Sequence, residues 1–121
     1  MDYSDTRQET RDEAEAEGRR DVRGRVFLGV IVVHGEALIA LSCRARDWSE
    51  RGARLELPAL TVLPRYFWLL SAREEVAHRG RLAWRRGDLA GVTFIGARSL
   101  VDPADLETRS LRRIWLERMP R

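Results

Sequence analysis

Between Arg25 and Ile95 the chain consists of short apolar or alternating runs, broken at roughly ten-residue intervals by turn-forming residues. Six strands are expected. The first covers about Arg25–Val33 and stops at His34-Gly35. The second covers Ala37–Arg46, where Ile39, Leu41, Cys43 and Ala45 alternate with Ala40, Ser42, Arg44 and Arg46. A period of two sends the first set to an interior and the arginines to solvent. The third, Ala53–Leu57, turns Ala53, Leu55 and Leu57 inward and ends at Pro58. The fourth is Tyr66–Ser71. The fifth, Arg79–Arg86, shares a hairpin with the sixth, Gly91–Ile95, across the turn Gly87-Asp88. Leu82 and Trp84 are expected on the inward face of the fifth strand, which makes Trp84 a core residue. Six short strands in so small a domain favour a closed or nearly closed antiparallel barrel, because closure removes exposed sheet edges.

After Gly96 the pattern becomes helical. Asp102 is placed to cap and Pro103 suits the first helical position, while Asp105 meets the helix dipole. A C-terminal α-helix over about 103–118 is expected to pack on the barrel through Ala104, Leu111, Ile114 and Trp115. The division is a flexible acidic tail over 1–18, a β-barrel domain over 19–98 and the helix within 99–121. The tail is polar and charged, with too little apolar surface to offset the entropy of ordering it.

Charge follows the same division. All 22 basic residues are Arg, and the 121-residue chain carries a formal net charge of +3. Residues 1–17 hold seven acids against two arginines, a net −5, which leaves +8 for the remainder. The globular part suits an anionic partner: a nucleotide, a nucleic acid or an acidic protein surface. No apolar run reaches the ~20 residues of a membrane helix, and the N-terminus has no apolar signal segment. A soluble cytoplasmic protein without membrane insertion is expected. The single cysteine, Cys43, excludes an intramolecular disulfide and reads as a buried structural thiol.

Catalytic signals are scarce. Glu75 and His78 form an E-x-x-H spacing, yet the second copy and further carboxylates of a di-iron site are missing. His34 falls at a turn. The sequence contains no Ser-His-Asp order, Gly-rich phosphate loop or nucleophile elbow. No enzyme activity, metal or cofactor is expected.

Two segments stand out. Arg19-Arg20-Asp21-Val22-Arg23-Gly24-Arg25 is a dense arginine cluster just before the first strand, and Asp47-Trp48-Ser49-Glu50-Arg51-Gly52 links the second and third. By itself the first is a solvated charge run and the second a turn whose Asp and Ser bond their own backbone. In this order, and at these positions relative to the strands, the pair resembles the two motifs of the bacterial PilZ family, R-x-x-x-R and (D/N)-x-S-x-x-G. Arg19 and Arg23 match the first; Asp47, Ser49 and Gly52 match the second. Gly52-Ala53-Arg54-Leu55-Glu56-Leu57-Pro58 is similar to the family, as is the hairpin from Arg81 to Phe94. The resemblance spans about residues 19–96. Trp48 and Arg51 depart from it, standing where members often carry a small aliphatic residue and a glycine.

The resemblance implies a six-stranded PilZ-type barrel that binds cyclic di-GMP through Arg19, Arg20, Arg23, Asp47, Ser49 and Gly52. The chemistry is coherent. Arginine grips a phosphate bidentately and also matches guanine O6 and N7, while a carboxylate such as Asp47 complements the N1 and N2 donors of guanine. Ser49 adds a hydrogen bond, and Gly52 permits close approach. Such a receptor acts on a downstream protein partner. One alternative is a PilZ-type adaptor that no longer binds nucleotide and works through protein contacts. The other is a basic barrel that binds nucleic acid. That reading is disfavoured because Phe67, Trp84, Phe94 and Trp115 fall in core-like patterns and are not displayed for base stacking.

Overall fold

A computed structural model of the chain describes residues 28–119. Six strands form a closed antiparallel barrel: β1 (Leu28–His34), β2 (Ile39–Trp48), β3 (Gly52–Glu56), β4 (Tyr66–Ser71), β5 (Val76–Arg86) and β6 (Leu89–Ser99). The order around the barrel is β1-β2-β3-β6-β5-β4, closed by the pairing of β1 with β4. One helix among the described residues, α1 (Leu106–Arg118), follows.

Two apolar clusters explain the two kinds of strand sequence. Val30 and Val32 of β1, Leu55 of β3, Phe67 and Leu69 of β4 and Val92 of β6 fill the interior. Ile31 and Val33 of β1 and Trp68 and Leu70 of β4 form a second cluster outside the barrel, with Leu100, Leu111 and Met119. β1 and β4 are therefore covered on both faces, which is why their sequences are unbroken apolar runs. β2 and β3 have one solvated face and alternate. Helix α1 is the cover. The Trp115 indole N–H donates to the Ser71 carbonyl at 2.8 Å, pinning the helix to the end of β4.

Several boundaries differ from expectation. The helix starts at Leu106 and not at 103. Its cap is Asp105, whose carboxylate accepts the Thr108 N–H at 2.7 Å, so Asp102, Pro103 and Ala104 precede it as connecting chain. That side-chain bond holds the Asp105 carboxyl below the usual carboxylate range. Strands β5 and β6 run longer than the apolar pattern, because mutual pairing from Val76↔Ser99 to Arg86↔Leu89 needs no side-chain burial at the hairpin's ends. Ile39 is exposed at the first position of β2 and is not an interior residue. Cys43 is half-buried against the interior cluster, and burial pushes its thiol up to about 12.

The largest correction concerns Trp84, which is 40 % exposed on the outer surface. The ladder between β5 and β6 slips between Leu82 and Trp84, where Leu82 opposes Val92 and Trp84 opposes Gly91. One extra residue reverses the facing of everything beyond it. Leu82 packs on the core, and Trp84 lies flat over Gly91 outside.

The two barrel ends are closed differently. One carries the β2–β3 and β4–β5 turns. The other carries the β1–β2 and β5–β6 turns and a loop over residues 57–65 that joins β3 to β4. These two strands lie three positions apart in the ring of six, so the loop crosses the barrel mouth. Leu57 and Leu63 point into the core from it.

Candidate functional site

The β2–β3 turn is built by its own polar atoms. The Ser49 N–H donates to the Gly52 carbonyl at 2.9 Å, and the Ser49 hydroxyl donates to the same oxygen at 3.3 Å. The Arg51 N–H in turn donates to Ser49 Oγ at 3.2 Å. The Arg51 carbonyl accepts the Phe94 N–H at 2.8 Å, tying the turn to β6. Glu50 and Arg51 are left exposed at the tip.

Asp47 reaches its position through a bulge: the β2–β3 register shifts between Ala45 and Asp47, and Asp47 then opposes Arg54. Their side chains form an ion pair at 2.5 Å, each about one-third exposed. Arg54 Nε is buried and finds no hydrogen-bond partner among the described residues.

Gly52 also meets a constraint within the barrel wall. A Cβ there would lie 2.1 Å from the Val92 carbonyl oxygen of β6. The glycine is required by the approach of two strands, since no side chain fits between β3 and β6 at this point.

Trp48, the departure beside the motif serine, is anchored inward. Its ring meets Phe94 edge-on with centroids 5.2 Å apart and His78 at 5.6 Å, while His78 stacks on Phe94 at 4.3 Å. The Trp48 indole N–H donates to Glu74 Oε2 at 3.3 Å, and His78 Nε2 lies 2.5 Å from Glu74 Oε1. These four residues close the barrel beneath the turn. The sequence drew attention to Glu75 and His78, but the partner of His78 is Glu74. No periodicity signals that pairing, because the two residues belong to a turn and to the strand after it. Among the described residues no group of three or more His, Cys, Asp or Glu side chains is placed to hold a metal ion.

Arg19, Arg20 and Arg23 lie outside the described residues. What can be located is their point of attachment. Leu28 opposes Ala45, two residues before Asp47, so β1 begins at the barrel end that carries the β2–β3 turn. Five residue steps separate Arg23 from Leu28, at most roughly 18 Å of chain.

Sequence reasoning also missed an outer surface. Tyr66 is 44 % exposed at the start of β4, and Arg79 approaches its ring at 6.0 Å. Arg86 sits 5.5 Å from the Trp84 ring. The argument against displayed aromatics therefore holds for Phe67 and fails for Trp84, because the β5 bulge is invisible in an alternating pattern.

No protein-family model matches this chain, and no curated protein matches it.

Proposed function

We propose that this chain is a receptor domain of the PilZ type, without enzymatic activity, that binds cyclic di-GMP in the bacterial cytoplasm and passes the signal to a protein partner. One observation carries the reading. The Asp47–Gly52 turn, self-braced and with its tip in solvent, stands at the barrel end where the chain bearing Arg19, Arg20 and Arg23 enters β1. A dianionic ligand between the two would receive arginines from one side and the Asp47 carboxylate from the other. A carboxylate complements guanine N1 and N2, and Asp47, which pairs with Arg54 in the free protein, would have to share or exchange that partner to do so.

The Trp48 ring is engaged with Phe94, His78 and Glu74. Titration calorimetry of the full chain with cyclic di-GMP, GTP and cyclic di-AMP tests the proposal. Saturable heat with cyclic di-GMP alone is expected, and Arg23→Ala should weaken it roughly ten- to a hundredfold. No heat with any of the three defeats it.

A second reading, an adaptor that no longer binds nucleotide, is favoured by a specific observation. Asp47 is committed to Arg54, Ser49 to closing its turn, and Gly52 to the approach of β6, so each has a structural task. The same titration separates the two.

A further inference from the structure

The loop that closes the far mouth of the barrel is built rigidly around two side chains with no role in the fold. Its inner positions, Leu57 and Leu63, are buried in the core. Arg85 of β5 reaches beneath it and donates to the carbonyls of Thr61 at 2.6 Å, Pro58 at 2.9 Å and Ala59 at 3.2 Å. The loop's peptide groups are thereby fixed, while Leu60 is 93 % exposed and Val62 84 % exposed. Nothing within the described chain covers either.

Their surroundings have a definite chemistry. Arg65 is the last residue of the loop, and its carbonyl accepts the Leu82 N–H at 2.8 Å, which ties this corner to β5. Trp84 and Arg86 flank Arg85 in the chain and stack on one another in the open. Tyr66 stands exposed at the loop's exit. The acids at this end of the barrel are Glu36 in the β1–β2 turn, Glu56 at the end of β3, held by Arg44 at 3.0 Å, and Asp88 in the β5–β6 turn, while Glu74 and Glu75 occupy the β4–β5 turn at the opposite end. Glu36 and Glu107 lie together on the helix side of the molecule.

We propose that this end of the barrel adsorbs to the surface of an anionic phospholipid bilayer, with Leu60 and Val62 entering the acyl boundary. Tyr66 and Trp84 lie at headgroup depth, and Arg65 and Arg86 meet the phosphates. Each part matches what an interface offers. Aliphatic tips gain by leaving water, aromatic rings with a polar edge favour the headgroup layer, and arginines are drawn to an anionic leaflet. Neither an apolar tip nor a few cations suffices alone, and stable adsorption takes both. A stable protein interface commonly buries ~800 Å² per partner, more than two projecting side chains provide, whereas a bilayer accepts a tip of any size. Single-stranded nucleic acid would use the arginines and Trp84 but offers nothing to Leu60 and Val62. The mode is surface adsorption, consistent with the absence of any helix long and apolar enough to cross a membrane among the described residues.

The face lies at the barrel end opposite the Asp47–Gly52 turn, so its fate is independent of the cyclic di-GMP reading. The test is co-sedimentation of the full chain with phosphatidylcholine vesicles, with and without about a third phosphatidylserine, at low and high salt. Binding to the anionic vesicles that weakens with salt is expected. The double variant Leu60→Ser, Val62→Ser should lose at least roughly tenfold in partitioning. Its melting temperature should not fall, because both side chains are already in water. Arg65→Gln with Arg86→Gln should reduce binding at low salt only. Failure to bind anionic vesicles at low salt overturns the proposal and leaves the loop to a protein partner. Binding that the serine variant leaves intact also overturns it, reducing the effect to a general attraction of arginines for polyanions. Single-stranded RNA that binds through Trp84 while anionic vesicles are ignored overturns it in favour of nucleic acid.

Discussion

Gly52→Ala and Gly91→Ala form a matched pair that separates backbone collision from side-chain collision. An added Cβ meets an atom at 2.1 Å in both cases: the Val92 carbonyl oxygen at Gly52, the Trp84 Nε1 atom at Gly91. The consequences should differ widely. The Val92 carbonyl belongs to the β3–β6 ladder, in which Gly52 opposes Thr93 and Ala53 opposes Val92. Restoring ordinary contact requires the strands to part by about 1 Å, at the usual overpacking cost of ~1–3 kcal/mol. The ladder bonds stretched by that movement contribute about 1 kcal/mol more. A total near 2–4 kcal/mol lowers the melting temperature of a domain this small by roughly 10–30 °C. At Gly91 the obstacle is the end of a side chain already 40 % exposed, which can swing into solvent. Replacing a strand glycine also recovers ~0.5–1 kcal/mol of unfolded-state entropy, so Gly91→Ala should shift melting by only a few degrees. Thermal melts followed by circular dichroism decide. Equal shifts for the two variants, or a Gly52→Ala protein that melts like the parent, would refute this account of Gly52. A variant that melts normally and yet loses cyclic di-GMP would return Gly52 to the ligand.

The other expectations rest on separate contacts. Arg85→Ala removes three carbonyl contacts from the mouth loop, so about 1–3 kcal/mol should be lost. Amide exchange over residues 57–65 should then accelerate more than exchange in β1. Phe67→Ala, at a position with no exposure, should cost ~3–5 kcal/mol, and Trp84→Ala, on the outer face, markedly less in a urea titration; a reversed order would return Trp84 to the core. The Cys43 thiol, pushed up to about 12, should react with a thiol-directed reagent at pH 8 far more slowly in folded protein than in urea. Asp105→Ala should lower the melting temperature at neutral pH through loss of the cap to Thr108. Because the folded-state carboxyl is depressed, the stabilisation is complete above the ordinary value near 3.9 and disappears as pH falls through the folded one. Parent and variant should therefore converge in strongly acidic solution.

Much of this architecture was legible in the chain because strands announce themselves locally. The alternation through Leu41, Cys43 and Ala45 and the stop at Pro58 reflect burial of one face and the missing N–H of proline. The Gly87-Asp88 turn did as well, since Gly87 adopts φ of 59°, which glycine tolerates. Even the unbroken runs in β1 and β4 carried information, namely a second cover that proved to be α1. Ser49 and Gly52 marked a turn correctly, because the Ser49 hydroxyl bonds the backbone of its own turn, whereas Asp47 lies in β2 and is paired with Arg54. Other features depended on contacts between distant segments. One residue of slip between β5 and β6 moved Trp84 from the expected core to the surface, and slip is a property of the pair of strands. Gly52 owes its identity to a carbonyl forty residues away on β6, a contact no spacing rule contains. The start of α1 moved to Leu106 because the carboxylate that meets a free N–H of the first turn is that of Asp105, through Thr108, and not that of Asp102. The Trp48–Phe94–His78–Glu74 closure and the Arg85 clamp arise because ring closure brings β2, β5 and β6 to one rim and β5 to the mouth loop. Local propensity and period are short-range quantities that a sequence displays directly. Register, facing beyond a bulge and the partner of a polar group follow from the closure of the barrel, where residues far apart in the chain must share the same few ångströms.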